Sequence, residues 1–252
     1  MSWMDRSVPG PAPGELSIVY RDDCLVAVDK PAGLLMHPTP LAGKQEHFLV
    51  HLLRDQLGEA VFPVHRLDRP TSGVLLLALD AETAADVGRQ FAERAVRKDY
   101  LAIVRGWLPE AGIIDHAIAD RDEPQAGKRD AMTEFRSLAQ AEVDAAIEKY
   151  PQSRFSLGLL RPRTGRRHQL RRHMKHLSHP IIGDTTYGRG AYNRFFRERY
   201  AVSRLLLHAS RLELVHPRSG DPLVLSVPVS GGFSQVTTRF GWRSALERAA
   251  ER

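Results

Sequence analysis

The apolar residues of this chain come in short runs, and that constrains its fold more than any other feature. Leu25–Val28, Val74–Leu79, Phe155–Leu160 and Leu223–Val227 are four to six residues long and end at charge, Gly or Pro. Runs of that length suit β-strands and are too short to give a helix its buried stripe. Further strands are expected at Leu16–Tyr20, Val61–Val64, Tyr100–Trp107, Ile113–Ile118, Leu205–Leu207 and Leu212–His216. The last of these and Leu223–Val227 form a hairpin across Pro217, Arg218, Ser219 and Gly220. Val61–Val64 and Val74–Leu79 flank a loop in which Pro70 and Gly73 stop both strands from continuing.

Helical spacing is confined to a few segments. Phe48–Leu57 places Val50, Leu53 and Leu57 on one face. Asp80 is an N-cap, with Glu82 in the first turn, for a helix bearing Ala84, Val87, Phe91 and Ala95 at i, i+3, i+7 and i+11. A third helix from about Arg166 to Leu177 buries Leu170, Met174 and Leu177, and a short one is expected around Tyr192–Arg199. The class is therefore α+β. Residues 120–130 read as a mobile loop, and the first fourteen residues, with three Pro and two Gly, as a flexible tail. No apolar stretch reaches the length of a membrane span, and Cys24 reads as an inert packed thiol, so a reducing cytoplasm is the expected compartment.

Charge is concentrated. Between Arg161 and His176 stand six Arg, one Lys and no acid, a +7 window in a chain whose net charge is +6, so the remainder is close to neutral. A patch of this kind suits phosphate, since the guanidinium fork binds its oxygens bidentately. On the expected helix, Arg167, Arg171 and Lys175 share one flank, and His168, Arg172 and His176 the next. A solvated surface face is the alternative, though such faces normally intersperse acids. His173, His176 and His179 have a metal-like spacing, but neighbouring guanidinium groups would repel a divalent cation.

Two further features carry possible chemistry. In HRLDRPTSG, residues 65–73, the carboxylate of Asp68 stands between Arg66 and Arg69, either as a turn or ion-pair residue or as a catalyst held in a loop. Tyr100 follows Arg97, Lys98 and Asp99 at the start of a strand, either as a buried ring or as a platform on which a flipped base stacks. No Gly-rich nucleotide-binding loop is present.

In order along the chain, DKPAGLLMHP (29–38), HRLDRPTSGVLLL (65–77), KDYLAIVRG (98–106), GKRDAMTEF (127–135), RPRTGRRHQLRRH (161–173), HPIIGDTTYG (179–188) and RLLLHA (204–209) together resemble the RluA-type family of pseudouridine synthases. The resemblance covers about Leu16 to Trp242, and the HRLD and TGRxHQLR pair is its most specific part. It implies a mixed, mostly antiparallel central sheet with flanking helices and an active-site cleft, in a single catalytic domain over residues 15–252 without a separate S4 domain. It implies Asp68 as the catalytic aspartate, Tyr100 as the ring stacked on the target uracil, Arg171 as the basic partner of the carboxylate, and Arg66 as a residue that helps displace or replace the flipped base. His65, Arg69, Arg166, Arg167, His168, Arg172 and Lys175 are the remaining expected RNA contacts. No metal or organic cofactor is implied.

RDQLG (54–58), VFPVHRLDRPTSG (61–73), HLSHPIIGD (176–184) and FGWR (240–243) resemble the branch of the family that modifies uridine 65 of transfer RNA; Asp29 departs from the Asn that many relatives carry. The expected partner is thus RNA, specifically transfer RNA, met by a monomer. A ribosomal RNA target, a non-catalytic RNA-binding protein and a metal-dependent RNA hydrolase are the competing readings. Whether Asp68 attacks C1′ or takes the 2′ proton stays open at this level.

Overall fold

The computed structural model describes residues 14–37, 47–119, 125 and 127–250. The expected tail lies outside the described residues, apart from Gly14, as does most of the first half of the 120–130 loop. In chain order the elements are β1 (Ser17–Arg21), β2 (Leu25–Lys30), α1 (Leu49–Leu57), β3 (Phe62–Pro63), β4 (Ser72–Ala78), α2 (Ala81–Ala92), β5 (Arg97–Arg105), β6 (Ala111–Asp115), β7 (Ile118–Ala119), β8 (Lys128–Arg129), β9 (Met132–Val143), β10 (Ser153–Pro162), α3 (Gln169–His176), α4 (Gly190–Tyr200), β11 (Leu207–Val215), β12 (Pro222–Ser226), α5 (Gly231–Arg239) and α6 (Arg243–Ala250). This is the expected α+β class. Strand pairs are antiparallel wherever their register is described, and one parallel bridge joins Leu35 to Phe48. No helix among the described residues is long and apolar enough to cross a membrane.

The described residues fall into two compact units, 14–98 with 209–228 and 99–208 with 229–250. In the first, the strand order is β1-β2-β4-β11, with β3 on β4 and β12 on β11. β2 and β4 pair from Leu25↔Ala78 to Lys30↔Gly73, and every residue of β4 is buried, which is why its run is continuously apolar rather than alternating. Asp80 caps α2 as expected, its carboxylate accepting the Thr83 amide at 2.7 Å, and Gly58, at φ 73, ends α1. β11 and β12 form the expected hairpin.

In the second unit the order is β5-β10-β9-β6. Alternate residues of β5 serve two cores. Leu101 and Ile103 pack with Phe155, Phe196, Phe233 and Trp242 under α4, α5 and α6, whereas Ala102 and Val104 pack with Leu160, Leu170 and Met174 under α3. This burial on both faces places β5 and β10 between two layers of helices.

Several expectations are corrected. Val61–Val64 supplies only the two residues of β3, with Pro63 exposed, because Pro63 cannot donate to a ladder. Gly73 lies inside β4 instead of stopping it: at φ 112 it passes so close to Ala209 that an added Cβ would lie 2.1 Å from a carbonyl oxygen. Ala95 is exposed beyond the end of α2. Leu205–Leu207 and Leu212–His216 are not two strands; the single strand β11 starts at Leu207 and runs through Val215. β9, the longest strand, and helices α5 and α6 were not anticipated. The helix expected over 166–177 is shorter, as described below.

Candidate active site

The Asp68 loop is built by its backbone. The Asp68 carbonyl accepts the Thr71 amide at 3.0 Å, closing a tight turn around Arg69 and Pro70. Leu67 is buried beside it, and the Asp68 side chain is half-buried. The turn is tied to residue 33 from both sides: the Gly33 amide donates to the Arg69 carbonyl at 2.8 Å, and Arg69 Nε donates to the Gly33 carbonyl at 2.9 Å.

Beneath it lies Lys30, fully buried at the end of β2. Its ammonium donates to the carbonyls of Pro31 (2.9 Å), Arg69 (3.1 Å) and Thr71 (2.9 Å). A buried ammonium is tolerated only when its donors are satisfied, and two of these three acceptors belong to the Asp68 turn, so the charge and the turn shape hold each other. Sequence reading did not single out Lys30. The signal was a Lys two residues past the apolar run Leu25–Val28, at the start of the KPAG segment.

His65 does not serve as a cation. Its Nε2 accepts the Leu76 amide at 3.0 Å, and its ring stacks on Phe91 at 4.8 Å between centroids. Burial, with the nearby Lys98 charge, pushes the imidazole down to about 3. The unfolded chain takes up this proton near pH 6.5 and the folded chain does not, so stability falls on acidification across that interval. We expect this ring to account for about 2 kcal/mol of lost stability between pH 7.5 and 5.0. Urea unfolding of the wild type and of His65→Gln at both pH values checks this, and an equal loss in the two proteins would refute it.

In the second unit, Tyr100 is half-buried on β5 opposite Leu160 of β10. The neighbouring Asp99 is buried and binds Arg161 through Nε at 2.6 Å and Nη2 at 3.2 Å, pinning the two strands together at the Tyr100 position.

Arg171 is held more tightly. Its side chain is 4% exposed, and Nε and Nη2 bind Asp184 Oδ2 and Oδ1 at 2.7 and 2.9 Å. Burial alone would raise the Asp184 carboxyl. The hydrogen bonds and charge of Arg171, with the Tyr187 and Thr186 amides, hold it below the usual carboxylate range instead. The Arg171 guanidinium also lies 5.2 Å from the centre of the buried Tyr187 ring, whose hydroxyl is 3.1 Å from His168 Nδ1. Asp184 was not foreseen, although it is the single carboxylate between Arg161 and Arg197.

The cationic window does not form two continuous helical flanks. Arg166, Arg167 and His168 precede α3, whose N-cap His168 has left-handed backbone at φ 54. Gln169 holds this turn, accepting from Thr164 Oγ1 and the Arg166 amide and donating to the Met132 carbonyl and Thr133 Oγ1. Since Arg171 is buried, it cannot share an exposed flank with Arg167 and Lys175, which are exposed. Arg166 donates to the Asp130 carbonyl and Arg172 to the Ala119 carbonyl, at 3.0 and 2.8 Å, and Lys175 lies 6.0 Å from the Tyr187 ring centre. Arg66 is exposed and Arg69 half-buried. Asp68, His65, Arg66 and Arg69 thus belong to one unit, and Tyr100, Arg171 and the α3 cations to the other.

Two of the three histidines with metal-like spacing are engaged in hydrogen bonds within the protein. His173 has both ring nitrogens engaged, with Thr133 Oγ1 and the His116 carbonyl, and His179 Nδ1 meets the Arg105 carbonyl.

Comparison with known proteins agrees with the motifs. The profile of a family described as RNA pseudouridylate synthase matches residues 24–176. The chain is 47% identical to tRNA pseudouridine synthase C of Vibrio parahaemolyticus, over 93% of this chain and 99% of that protein. It is 45% identical to the protein of the same name from Salmonella typhi, over 92% of each. Among solved structures, human RNA pseudouridylate synthase domain containing 1 superposes with a TM-score of 0.69 at 30% identity, covering 88% of this chain and 86% of the other. The chain belongs to the RNA pseudouridylate synthase family.

Proposed function

We propose that this chain isomerises uridine to pseudouridine in transfer RNA, at uridine 65, in the cytoplasm, with Asp68 as its catalytic carboxylate. The observation that carries the substrate is the 47% identity, spanning nearly the whole of both chains, to a tRNA pseudouridine synthase C. The position within the RNA rests on the resemblance of residues 54–58, 61–73, 176–184 and 240–243 to the uridine-65 branch. That near-complete overlap also favours one catalytic domain over residues 15–252, and all the residues invoked lie in one chain, so a monomer suffices.

The reaction breaks the C1′–N1 bond, turns the uracil, joins C5 to C1′ and releases the C5 proton, while N1 takes up a proton. Atoms are conserved and no electrons are exchanged, so a positioned carboxylate can serve without a redox partner. Asp68 acts either on C1′ as nucleophile or on the 2′ proton as base; both require it ionised beside a cation in a site that excludes water. In this reading Arg171 is that cation, its Nε and Nη2 fixed by Asp184. Tyr100 stacks on the everted uracil, offsetting part of the few kcal/mol that base flipping costs. His65 and Lys30 hold the loop, and Arg66 fills the space that the base leaves.

A pseudouridine map of total tRNA and rRNA, made with and without the protein, tests the reading. Chemical derivatisation is needed, because the two nucleosides have the same mass. The expected result is a mark at position 65 of tRNA that survives EDTA; a mark only in rRNA overturns the substrate, and no mark overturns the reaction. Arg167→Ala and Lys175→Ala should each weaken tRNA binding with a salt slope shallower by about 0.7–0.9, the loss of one phosphate contact. An unchanged slope would remove that residue from the RNA surface.

A further inference from the structure

The residues after β6 are clamped to the outer side of α3 by three contacts. The buried His173 ring meets the His116 carbonyl at 3.0 Å, Arg172 Nη1 donates to the Ala119 carbonyl at 2.8 Å, and the His176 ring stacks on the His116 ring at 3.8 Å between centroids, 15° from parallel. Ala119 pairs with Lys128 across β7 and β8, so this clamp sets Lys128 and Arg129 beside the cations of α3. His176, Lys128 and Arg129 are exposed and His116 is half-buried.

From this arrangement, we propose that the His116–His176 pair is a proton-linked phosphate contact, through which this face binds the RNA backbone more tightly as the pair gains a proton. The proposal rests on the RNA-modifying reading above and adds residues to its contact surface.

Two imidazoles stacked face to face cannot both carry charge at low cost. Burial lowers the affinity of His116 for a proton, and so do its neighbours His176, Lys128 on β8 and Arg172 on α3. Asp115 adjoins His116 on β6, and His173 on α3 faces it edge-on at 6.5 Å with both nitrogens committed. In the free protein His116 therefore takes up a proton less readily than an ordinary imidazole. A phosphate brought against the face supplies the missing negative charge, favours the imidazolium and accepts its N–H. Binding then takes up a proton, and by linkage acid strengthens binding.

The test measures the affinity of the full-length protein for an unmodified tRNA transcript from pH 8.0 to 5.5 at constant ionic strength, beside the double variant His116→Gln, His176→Gln. The wild type should tighten by roughly five- to tenfold, about what a one-unit rise in a single histidine pKa supplies, while the variant changes by less than about twofold. Parallel slopes overturn the proton link and leave the enzyme reading intact. Failure of the wild type to bind the transcript at any pH in this range overturns that reading, and the link with it. Should the double variant unfold, NMR titration of the wild-type rings decides instead. Both pKa values, or their macroscopic pair, should rise by about one unit in the complex; no rise overturns the proposal.

Discussion

Asp68→Asn is expected to reduce pseudouridine formation by roughly 10³-fold or more, within the range or beyond it for loss of a positioned catalytic group, while tRNA binding stays within a fewfold of wild type. The exchange keeps the shape of the side chain and removes its charge. The turn that carries it is closed by backbone, through the bond from the Thr71 amide to the Asp68 carbonyl and the two bonds between Lys30 and the carbonyls of Arg69 and Thr71. The loop should therefore survive the substitution, separating chemistry from folding. Single-turnover formation and a gel-shift titration on the same transcript make the comparison. Appreciable turnover would remove Asp68 from the chemistry, and a parallel collapse of binding would make it a structural residue.

The second large effect is on stability. Asp184→Asn leaves the Arg171 guanidinium buried without its counter-charge, and breaking such a pair costs about 3–5 kcal/mol. The wild-type contribution has a definite pH sign. Because the folded Asp184 carboxyl is lowered, its stabilisation is present above the unfolded value, near 3.9, and is lost as pH falls through the lower folded value. Urea unfolding should show the variant far weaker than wild type at pH 7, with the gap narrowing on strong acidification. A gap of under about 1 kcal/mol at pH 7 would show that Arg171 finds its compensation elsewhere. If Arg171 also serves the reaction, a double variant Arg171→Met, Asp184→Leu regains part of the stability and none of the activity.

Parts of the fold were legible because their causes are local. β4 is an unbroken apolar run ending at Asp80, and α2 starts where the Asp80 carboxylate meets an amide three residues on. β9 was not legible. Its sequence MTEFRSLAQAEV mixes charge with helix-favouring Ala and Leu, and its strand conformation is set by pairing along nearly its whole length with β10. α3 was read three residues too early because Arg166, Arg167 and His168 continue its charge pattern, while the Gln169 side chain holds the preceding turn out of the helix.

In the candidate site the residue types were legible and their supports were not. HRLD and TGRxHQLR marked the carboxylate and the arginines, whereas nothing near Lys30 in sequence shows that its ammonium is wrapped by carbonyls 39 and 41 residues away. The run of seven cations reads as one uniform surface, yet Arg171 is buried on Asp184, 13 residues on, and Arg161 is paired with Asp99, 62 residues back.

The sequence by itself determined the α+β class, the positions of elements such as β2, β4, β10 and α2, and the motifs that mark the family, since these depend on side-chain periodicity and on residues a few positions apart. The tertiary structure alone decided which charges are withdrawn from water and which face it. Burying a charge is favourable only where a partner is waiting, and that partner is brought by the folding of a distant segment.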